Sequence, residues 1–149
     1  MIRDACGDDA RDDFLTRLAF VVASGNDDAH LKNWSFQWGH EHRPWLSPCY
    51  DQVATLTWRL KETWRSSEGP TLALALGKEK RFSDITRSHV RTLTRRCEAK
   101  HGEERFMSGL ERARATWPMA ATRAPGAMIQ AIQRLWAVVP ILKEVGPLP

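Results

Sequence analysis

The chain has 149 residues, a hydrophobic fraction of 42%, a formal net charge of +4 and three widely spaced cysteines. That length suffices for one domain with a buried core. No apolar run approaches the ~20 residues of a transmembrane helix, and the polar, acidic N-terminus argues against a signal peptide. Cysteines without CxxC spacing argue against a disulfide framework or structural zinc site, so we expect a cytoplasmic protein with no membrane contact.

The first predicted element is a helix over residues 8–24. Its apolar residues recur at helical spacing, and Gly25 follows as a stop signal. The alternation of Trp34, Phe36 and Trp38 with polar residues then predicts a strand. Residues 39–44 form the predicted turn and residues 45–46 the returning strand, so that the chain comes back beside the loop at 26–32.

The rest of the chain is predicted to be helical. Residues 66–70 indicate a surface loop, and residues 82–86 supply several capping candidates for a helix of about 14 residues that closes near Gly102. A second helix around Leu110 is expected to end at Pro118. A third helix around Leu135 is expected to end or kink at Pro140. The predicted fold is mostly α, in an α+β class, as a helical bundle with a small β-hairpin.

The tryptophans and the arginines are each clustered in the sequence, and the arginines allow two interpretations. Five of the seven tryptophans fall within residues 34–64, at positions 34, 38, 45, 58 and 64, and we expect them to build the core beneath the hairpin. Arg87, Arg91 and Arg95 follow one another at i+4 spacing. A solvated helix face is the simpler interpretation of these arginines, and a phosphate-binding stripe is the alternative.

Two polar segments, residues 22–36 and 47–51, contain the candidate chemistry. Asp28 precedes Asn33 by five positions and Asp51 by 23. This is the arrangement that phosphoryl transfer from ATP requires: one carboxylate accepts the hydroxyl proton, while an amide oxygen and a second carboxylate hold Mg²⁺. Only Asp28, and not Asp27, has an asparagine five residues later. The spacing therefore predicts Asp28 as the base and Asn33 and Asp51 as the magnesium ligands.

Three neighbours are weaker candidates. His30 and Lys32 could reach phosphate oxygens and offset their charge, and Tyr50 could pack against a nucleotide. Each has a structural alternative: His30 as a loop residue, Lys32 as a solvated surface lysine, and Tyr50 as a hairpin core residue with a satisfied hydroxyl.

Residues 25–36 read Gly-Asn-Asp-Asp-Ala-His-Leu-Lys-Asn-Trp-Ser-Phe, and residues 46–51 read Leu-Ser-Pro-Cys-Tyr-Asp. These strings resemble the catalytic loop and the metal loop of HipA-like serine/threonine kinases of bacterial toxin–antitoxin modules, and residues 72–82 are similar to the segment that follows in that family. The resemblance implies a kinase-like C-lobe that uses ATP and Mg²⁺. Its nucleotide pocket would be lined by His30, Leu31, Lys32, Asn33, Tyr50 and Asp51.

The resemblance also implies partners. Family members phosphorylate serines of proteins, aminoacyl-tRNA synthetases among them, and are restrained by a helix-turn-helix antitoxin, through which contact with DNA is indirect. The family's N-lobe should precede residue 1, and no G-x-G-x-x-G motif occurs here. We therefore expect residues 1–149 to form a single truncated lobe that is inactive alone, with the catalytic and metal loops at 22–55 and a helical remainder at 56–149.

Two other functions fit parts of the sequence. The chain could be a non-enzymatic remnant or binding module that engages an antitoxin through its helical half, because loss of the N-lobe would expose apolar surface. A small metal-dependent hydrolase could use Asp27, Asp28, His30 and Asp51, but that function leaves Asn33 and the long family match unexplained.

Overall fold

The computed structural model describes residues 2–39, 44–58 and 69–149, and the structural statements below concern those ranges. The helices are α1 (Ile2–Cys6), α2 (Asp8–Ser24), α3 (Arg87–Arg96), α4 (Gly102–Ala121), α5 (Gly126–Val138) and α6 (Pro140–Val145). Strands β1 (Phe36–Trp38) and β2 (Pro44–Leu46) form one antiparallel pair, and β3 (Thr71–Leu76) and β4 (Glu79–Arg81) form another. The expected mostly helical α+β class is confirmed.

Helix α2 is the centre of the core and packs against α4. Leu15, Ala19 and Val22 of α2 are fully buried, as are Phe106 and Leu110 of α4. The two helices approach closely because α4 has Gly109 at the crossing, where an added Cβ would lie 2.8 Å from the Cβ of Ala19. This contact fixes α2, whose C-terminus leads into the first polar segment.

Helix α5 packs against α2, and α6 packs against α4 and α5. The indole N–H of Trp136 donates to the carbonyl of Ala23 at 3.0 Å, which satisfies a carbonyl in the last turn of α2. In α6, Ile141 and Leu142 are fully buried, and the N–H of Ile141 donates to the carbonyl of Ile85 at 3.1 Å. The end of α2 is therefore held by side-chain packing and by a hydrogen bond from α5.

Two helix boundaries differ from the predictions. Helix α3 has ten residues rather than about 14, because the chain turns at Cys97 and Glu98 and the latter has a φ of 51°. Gly102 begins α4 instead of closing α3, and a Cβ there would lie 2.6 Å from the Cβ of Ala99. Pro118 lies inside α4, which continues to Ala121 because buried Trp117 anchors this part of the helix to the core.

The hairpin of β3 and β4 was not predicted from the sequence. Leu72 and Leu76 of β3 are buried, and Gly77 makes the turn with a φ of 67°. The Leu-Ala repeat of β3 favours a helix by intrinsic propensity, so its strand structure comes from packing and pairing. Of the loop predicted at 66–70, residues 66–68 lie outside the described ranges, and Gly69 and Pro70 belong to no helix or strand.

The prediction that tryptophans build the core beneath the first hairpin is wrong for three of the five. Trp38, Trp45 and Trp58 are 70%, 46% and 71% exposed. Among the four of them that the structure describes, Trp34 alone packs inward, with its ring centroid 4.6 Å from that of Phe14. The short pair of β1 and β2 lies at the surface, so most of its side chains face solvent. Residue 64 lies outside the described ranges, as do residues 40–43 of the predicted turn.

Candidate active site

The loop at residues 25–33 leaves α2 in a defined direction. Gly25 adopts a left-handed φ of 67°, and its N–H donates to the carbonyl of Val22 at 3.3 Å. The N–H of Asn26 donates to the carbonyl of Val21 at 3.0 Å. These two bonds form a Schellman cap, which satisfies carbonyls at the helix end and reverses the chain. The residue predicted as a stop signal therefore also sets the path of this loop.

Asn26 joins the predicted catalytic loop, residues 25–33, to the predicted metal loop, residues 46–51; both segments keep these names below. Its side chain is buried, and its Oδ1 accepts the N–H of Asp28 at 3.1 Å. Its Nδ2 donates to the backbone carbonyl of Asp51 at 3.3 Å. The hydroxyl of Thr55 donates to the same Oδ1 at 3.4 Å and accepts the N–H of Asp27 at 2.8 Å. The relative position of the two loops thus depends on the side chains of Asn26 and Thr55.

The structure brings Asn33 and Asp51 into direct contact. The side-chain N–H of Asn33 donates to the carboxylate of Asp51, and its Oδ1 accepts the N–H of His30 at 3.0 Å. Asn33 is buried in a short 3-10 helix, Leu31–Asn33, whereas Asp51 is exposed. The Asp51 carboxylate and the Asn33 amide nitrogen therefore meet, as the hairpin return predicts, while the amide oxygen faces the N–H of His30.

A carboxylate oxygen and an amide oxygen are donor types that suit Mg²⁺ bound together with phosphates, and in this structure the Asp51 carboxylate is exposed while the Asn33 oxygen accepts the N–H of His30. Mg²⁺ in nucleotide sites is held by one or two carboxylates, by waters and by phosphate oxygens rather than by a cage of protein ligands. Among the described residues, no three His, Cys, Asp or Glu side chains come together as a metal site. Asp27, Asp28, His30 and Asp51 all lie in those ranges, so the alternative hydrolase with a protein-only metal centre has no geometric support.

The two neighbouring acids have different environments. Asp28 is exposed on the loop, whereas Asp27 is 9% exposed and its N–H contacts Thr55. A base that accepts a proton from a protein hydroxyl must be reachable by that hydroxyl. Exposure therefore favours the same acid, Asp28, as the spacing does.

The remaining candidate residues lie in the same two loops as Asn33 and Asp51. The hydroxyl of Tyr50 donates to the carbonyl of Lys32 at 2.6 Å, so the metal loop also contacts the 3-10 helix of the catalytic loop. Tyr50 is 41% exposed and is no core residue of the hairpin. Leu31 is 69% exposed and Lys32 is exposed, while His30 is half-buried. Tyr50, Leu31 and Lys32 are thus available to a ligand at the surface.

A further contact fixes the start of the metal loop. The guanidinium of Arg17, on α2, donates to the backbone carbonyl of Ser47 and forms an ion pair with Asp13. The hydroxyl groups of Ser47 and Ser35 are 2.8 Å apart. Sequence reasoning did not find Arg17, Asn26 or Thr55 as site residues, because each acts on backbone groups distant in sequence and belongs to no recognisable spacing.

The arginines of α3 form a paired surface. Glu103 of α4 accepts from the Nε of Arg87 at 2.5 Å and from the Nε of Arg91 at 3.0 Å. These arginines hold the pKa of the Glu103 carboxyl below its usual value, with the bond from Arg91 as the largest cause. The pairing occupies two of the three arginines in the stripe and supports the solvated-face interpretation.

Fold and loop geometry agree with the comparisons to known proteins. The structure is a mostly helical body with paired polar loops at the end of its central helix, and the family model "HipA-like C-terminal domain" matches residues 1–124. The chain therefore belongs to the HipA-like family. A relative from Sinorhizobium fredii (strain NBRC 101917 / NGR234), named "Putative kinase Y4dM", is 30% identical over 118 residues.

One solved structure shares the fold. A chain of the Shewanella oneidensis MR-1 toxin–antitoxin complex of HipA, HipB and operator DNA has a TM-score of 0.71 at 20% identity, which supports the shared fold. That match covers 97% of this chain and 36% of the solved chain, and the match to the S. fredii relative covers 73% of this chain and 27% of the relative. The chain thus spans about a third or less of these proteins. None of the described helices is long and apolar enough to cross a membrane.

Proposed function

We propose that this chain is the C-terminal catalytic lobe of a HipA-like serine/threonine protein kinase, the toxin of a toxin–antitoxin module. The observation that carries the proposal is the contact between Asn33 and Asp51, with the exposed acid Asp28 on the same loop. A lone Asp-Asn spacing is common by chance. Together with a second acid after a hairpin, it is the arrangement that phosphoryl transfer from ATP requires.

In this proposal the residues have separate roles. Asp28 accepts the proton of the substrate serine hydroxyl, and its exposure admits a protein substrate. Asn33 and Asp51 hold Mg²⁺, which when bound neutralises charge on the phosphates of ATP. His30, Leu31, Lys32 and Tyr50 line the nucleotide pocket, where the Lys32 ammonium provides positive charge for phosphate oxygens.

The proposal includes partners and a limit on activity. The substrate is a protein serine, with an aminoacyl-tRNA synthetase as one candidate, and a helix-turn-helix antitoxin provides indirect contact with DNA in the cytoplasm. Residues 1–149 form one lobe, and the phosphate-covering loop and the nucleotide-binding lysine belong to a separate N-lobe. Without them ATP lacks several charge-assisted bonds, each worth about 1.5–3 kcal/mol. We therefore expect no phosphoryl transfer by this chain alone.

The base assignment is tested in a full-length kinase made by joining this chain to the N-terminal part of the S. fredii relative. We expect Asp28→Asn to lower kcat by about 10²–10⁴-fold, because it removes the proton acceptor. Asp27→Asn is the matched control, since it changes the adjacent, buried acid. Thermal melts of both variants identify any loss of folding. Retained activity in Asp28→Asn, or a larger loss in Asp27→Asn, would show that the assignment is wrong.

A second candidate function, a non-enzymatic module that binds an antitoxin, has one observation in its favour. Trp38, Trp45 and Trp58 are exposed, and exposed apolar groups mark interaction surfaces when they lie together. This function predicts that the joined kinase is inactive with ATP and Mg²⁺ while the isolated chain still binds the antitoxin. Activity that depends on Asp28 would exclude it as the sole function.

A further inference from the structure

Asn26 uses its whole amide to connect the catalytic loop with the metal loop. It is 1% exposed, and its two polar atoms face different loops. Oδ1 accepts the N–H of Asp28, and Nδ2 donates to the carbonyl of Asp51. Neither aspartate is held through its carboxylate by Asn26. The amide holds the backbone from which each carboxylate projects, and so leaves both carboxylates available for chemistry.

The bond to Asp51 acts on an unusual backbone conformation. Asp51 has a φ of 56°, in the left-handed region that costs most residues free energy and that aspartate tolerates better than most. In this conformation the Asp51 carboxylate accepts the side-chain N–H of Asn33. Because Asn26 holds the carbonyl of the same residue, it helps to keep the carboxylate beside its partner amide.

Thr55 completes the connection from the other side. Its hydroxyl accepts the N–H of Asp27 at 2.8 Å and donates to Oδ1 of Asn26 at 3.4 Å. One residue later, the N–H of Leu56 donates to the carbonyl of Gly25 at 3.0 Å. The segment after the metal loop is therefore bound to the first residues of the catalytic loop, through a group of contacts that we call the Asn26–Thr55 link.

We infer that Asn26 and Thr55 are positioning residues that set the separation and direction of Asp28 and Asp51. This inference rests on the proposed function, in which those two acids act on the same substrate and metal. An asparagine is needed because the site requires an acceptor and a donor on one short side chain: aspartate supplies no donor, and leucine supplies neither group. Thr55 needs its hydroxyl for the same reason, as both donor and acceptor.

The test uses the 149-residue chain and Mn²⁺ as a paramagnetic probe for the magnesium site. Broadening of amide NMR signals near Asp51 gives the affinity for Mn²⁺. We expect Asn26→Asp and Thr55→Val to weaken this affinity about tenfold, the effect of one lost buried hydrogen bond. Thr55→Ser should restore it to within about twofold, because the hydroxyl is retained.

The matched control is Thr57→Val. It makes the same hydroxyl-to-methyl change two residues away, where the Thr57 hydroxyl donates to the carbonyl of Ala54 at 2.7 Å and touches neither acid. We expect its Mn²⁺ affinity to stay within about twofold of the parent chain, since a local bond of this kind does not set the distance between the loops. Equal weakening by Thr57→Val would overturn the inference.

Amide hydrogen exchange without metal provides an independent measurement. The N–H of Asp27 should exchange about tenfold faster in Thr55→Val and the N–H of Asp28 about tenfold faster in Asn26→Leu, because each variant removes the acceptor of that N–H, while amides in α4 stay unchanged. If the parent chain binds Mn²⁺ and the variants match it, the inference fails and the proposed function stands. If the parent chain does not bind Mn²⁺, the proposed metal site fails, and unchanged exchange would also overturn the link.

Discussion

At the scale of single residues, Gly25 has a conformation that other residues adopt at a cost. Its φ is 67°, and an added Cβ would lie 3.1 Å from methyl carbons of both Leu135 and Leu56. We expect Gly25→Ala to lower the free energy of unfolding by about 1–3 kcal/mol, from the left-handed backbone and the tight contacts together. Urea denaturation of the isolated chain measures this change.

Gly126→Ala is the matched control for this prediction. Gly126 begins α5 without a positive φ, and an added Cβ meets no atom within 4 Å. Alanine is the better helix former, so this variant should be neutral or more stable by up to about 1 kcal/mol. Equal losses in both variants would mean that the Schellman cap at Gly25 contributes nothing specific to stability.

The candidate site shows what spacing in a sequence can predict at this scale. The pattern placed Asp28, Asn33 and Asp51 in one site, and the structure brings Asn33 and Asp51 into contact. The roles assigned to these residues stay predictions. The pattern could not identify Asn26 and Thr55, because a buried amide that binds two backbone groups has the same local signature as an ordinary turn residue.

At the scale of elements, the predictions were most accurate where local signals and tertiary packing agree. The helix at Asp8–Ser24 was predicted to the residue, since its apolar period and Gly25 give the same boundary. Gly102 was misassigned because glycine signals a helix end by conformation, whereas here it is needed for space beside Ala99. The strand Thr71–Leu76 was missed because its helix-forming residues are overridden by packing.

Pro118 allows a direct test of a local helix-ending signal that tertiary packing overrides. A proline inside a helix removes a hydrogen bond and crowds the carbonyl four residues earlier. The helix continues past Pro118 for only one turn, so we expect Pro118→Ala to raise the free energy of unfolding by about 1–2 kcal/mol. Pro140→Ala is the control, because Pro140 occupies the first turn of α6, where proline is favourable, and its loss should be neutral or destabilising. A loss of stability in Pro118→Ala would contradict this account.

The stability that the ion pairs between α3 and α4 contribute should depend on pH. Arg91 and Arg87 lower the pKa of Glu103 in the folded chain, so the folded state binds a proton at this group less readily than the unfolded state. The stabilisation is therefore complete above the ordinary glutamate pKa of about 4.3 and is lost as pH falls through the lower folded value. We expect Glu103→Gln to lower Tm by about 1–3 °C at pH 7, because partly exposed pairs contribute little.

Melting curves at pH 7 and pH 3 separate this electrostatic effect from packing. The difference in Tm between Glu103→Gln and the parent chain should shrink toward zero at pH 3. At that pH the glutamate of the unfolded parent chain is mostly protonated and is therefore uncharged, like the glutamine of the variant. Glu104→Gln is the control, since Glu104 is paired only with His101 in the described ranges and its side chain is 78% exposed. A difference for Glu103→Gln that is constant with pH would show that the arginine pairing is unimportant.

At the scale of the whole molecule, the exposed tryptophans distinguish surface from core. Trp38 and Trp58 are 70% and 71% exposed, so their indoles contribute little to folding but offer apolar area to other molecules. We expect the isolated chain to self-associate as its concentration rises. The double variant Trp38→Ser, Trp58→Ser should reduce this association while changing the free energy of unfolding by no more than about 0.5 kcal/mol. Sedimentation velocity and urea denaturation measure the two quantities.

Trp136→Ser is the contrasting variant, because Trp136 is 3% exposed and its indole N–H satisfies a carbonyl of α2. Its loss should cost about 3–5 kcal/mol, through a core cavity and an unpaired carbonyl. If the surface tryptophans instead contribute comparably to the free energy of unfolding, they belong to the core of this domain and form no interface. If the parent chain stays monomeric at high concentration, their exposure alone does not drive association. Reduced association at unchanged stability would assign them to contacts with other molecules.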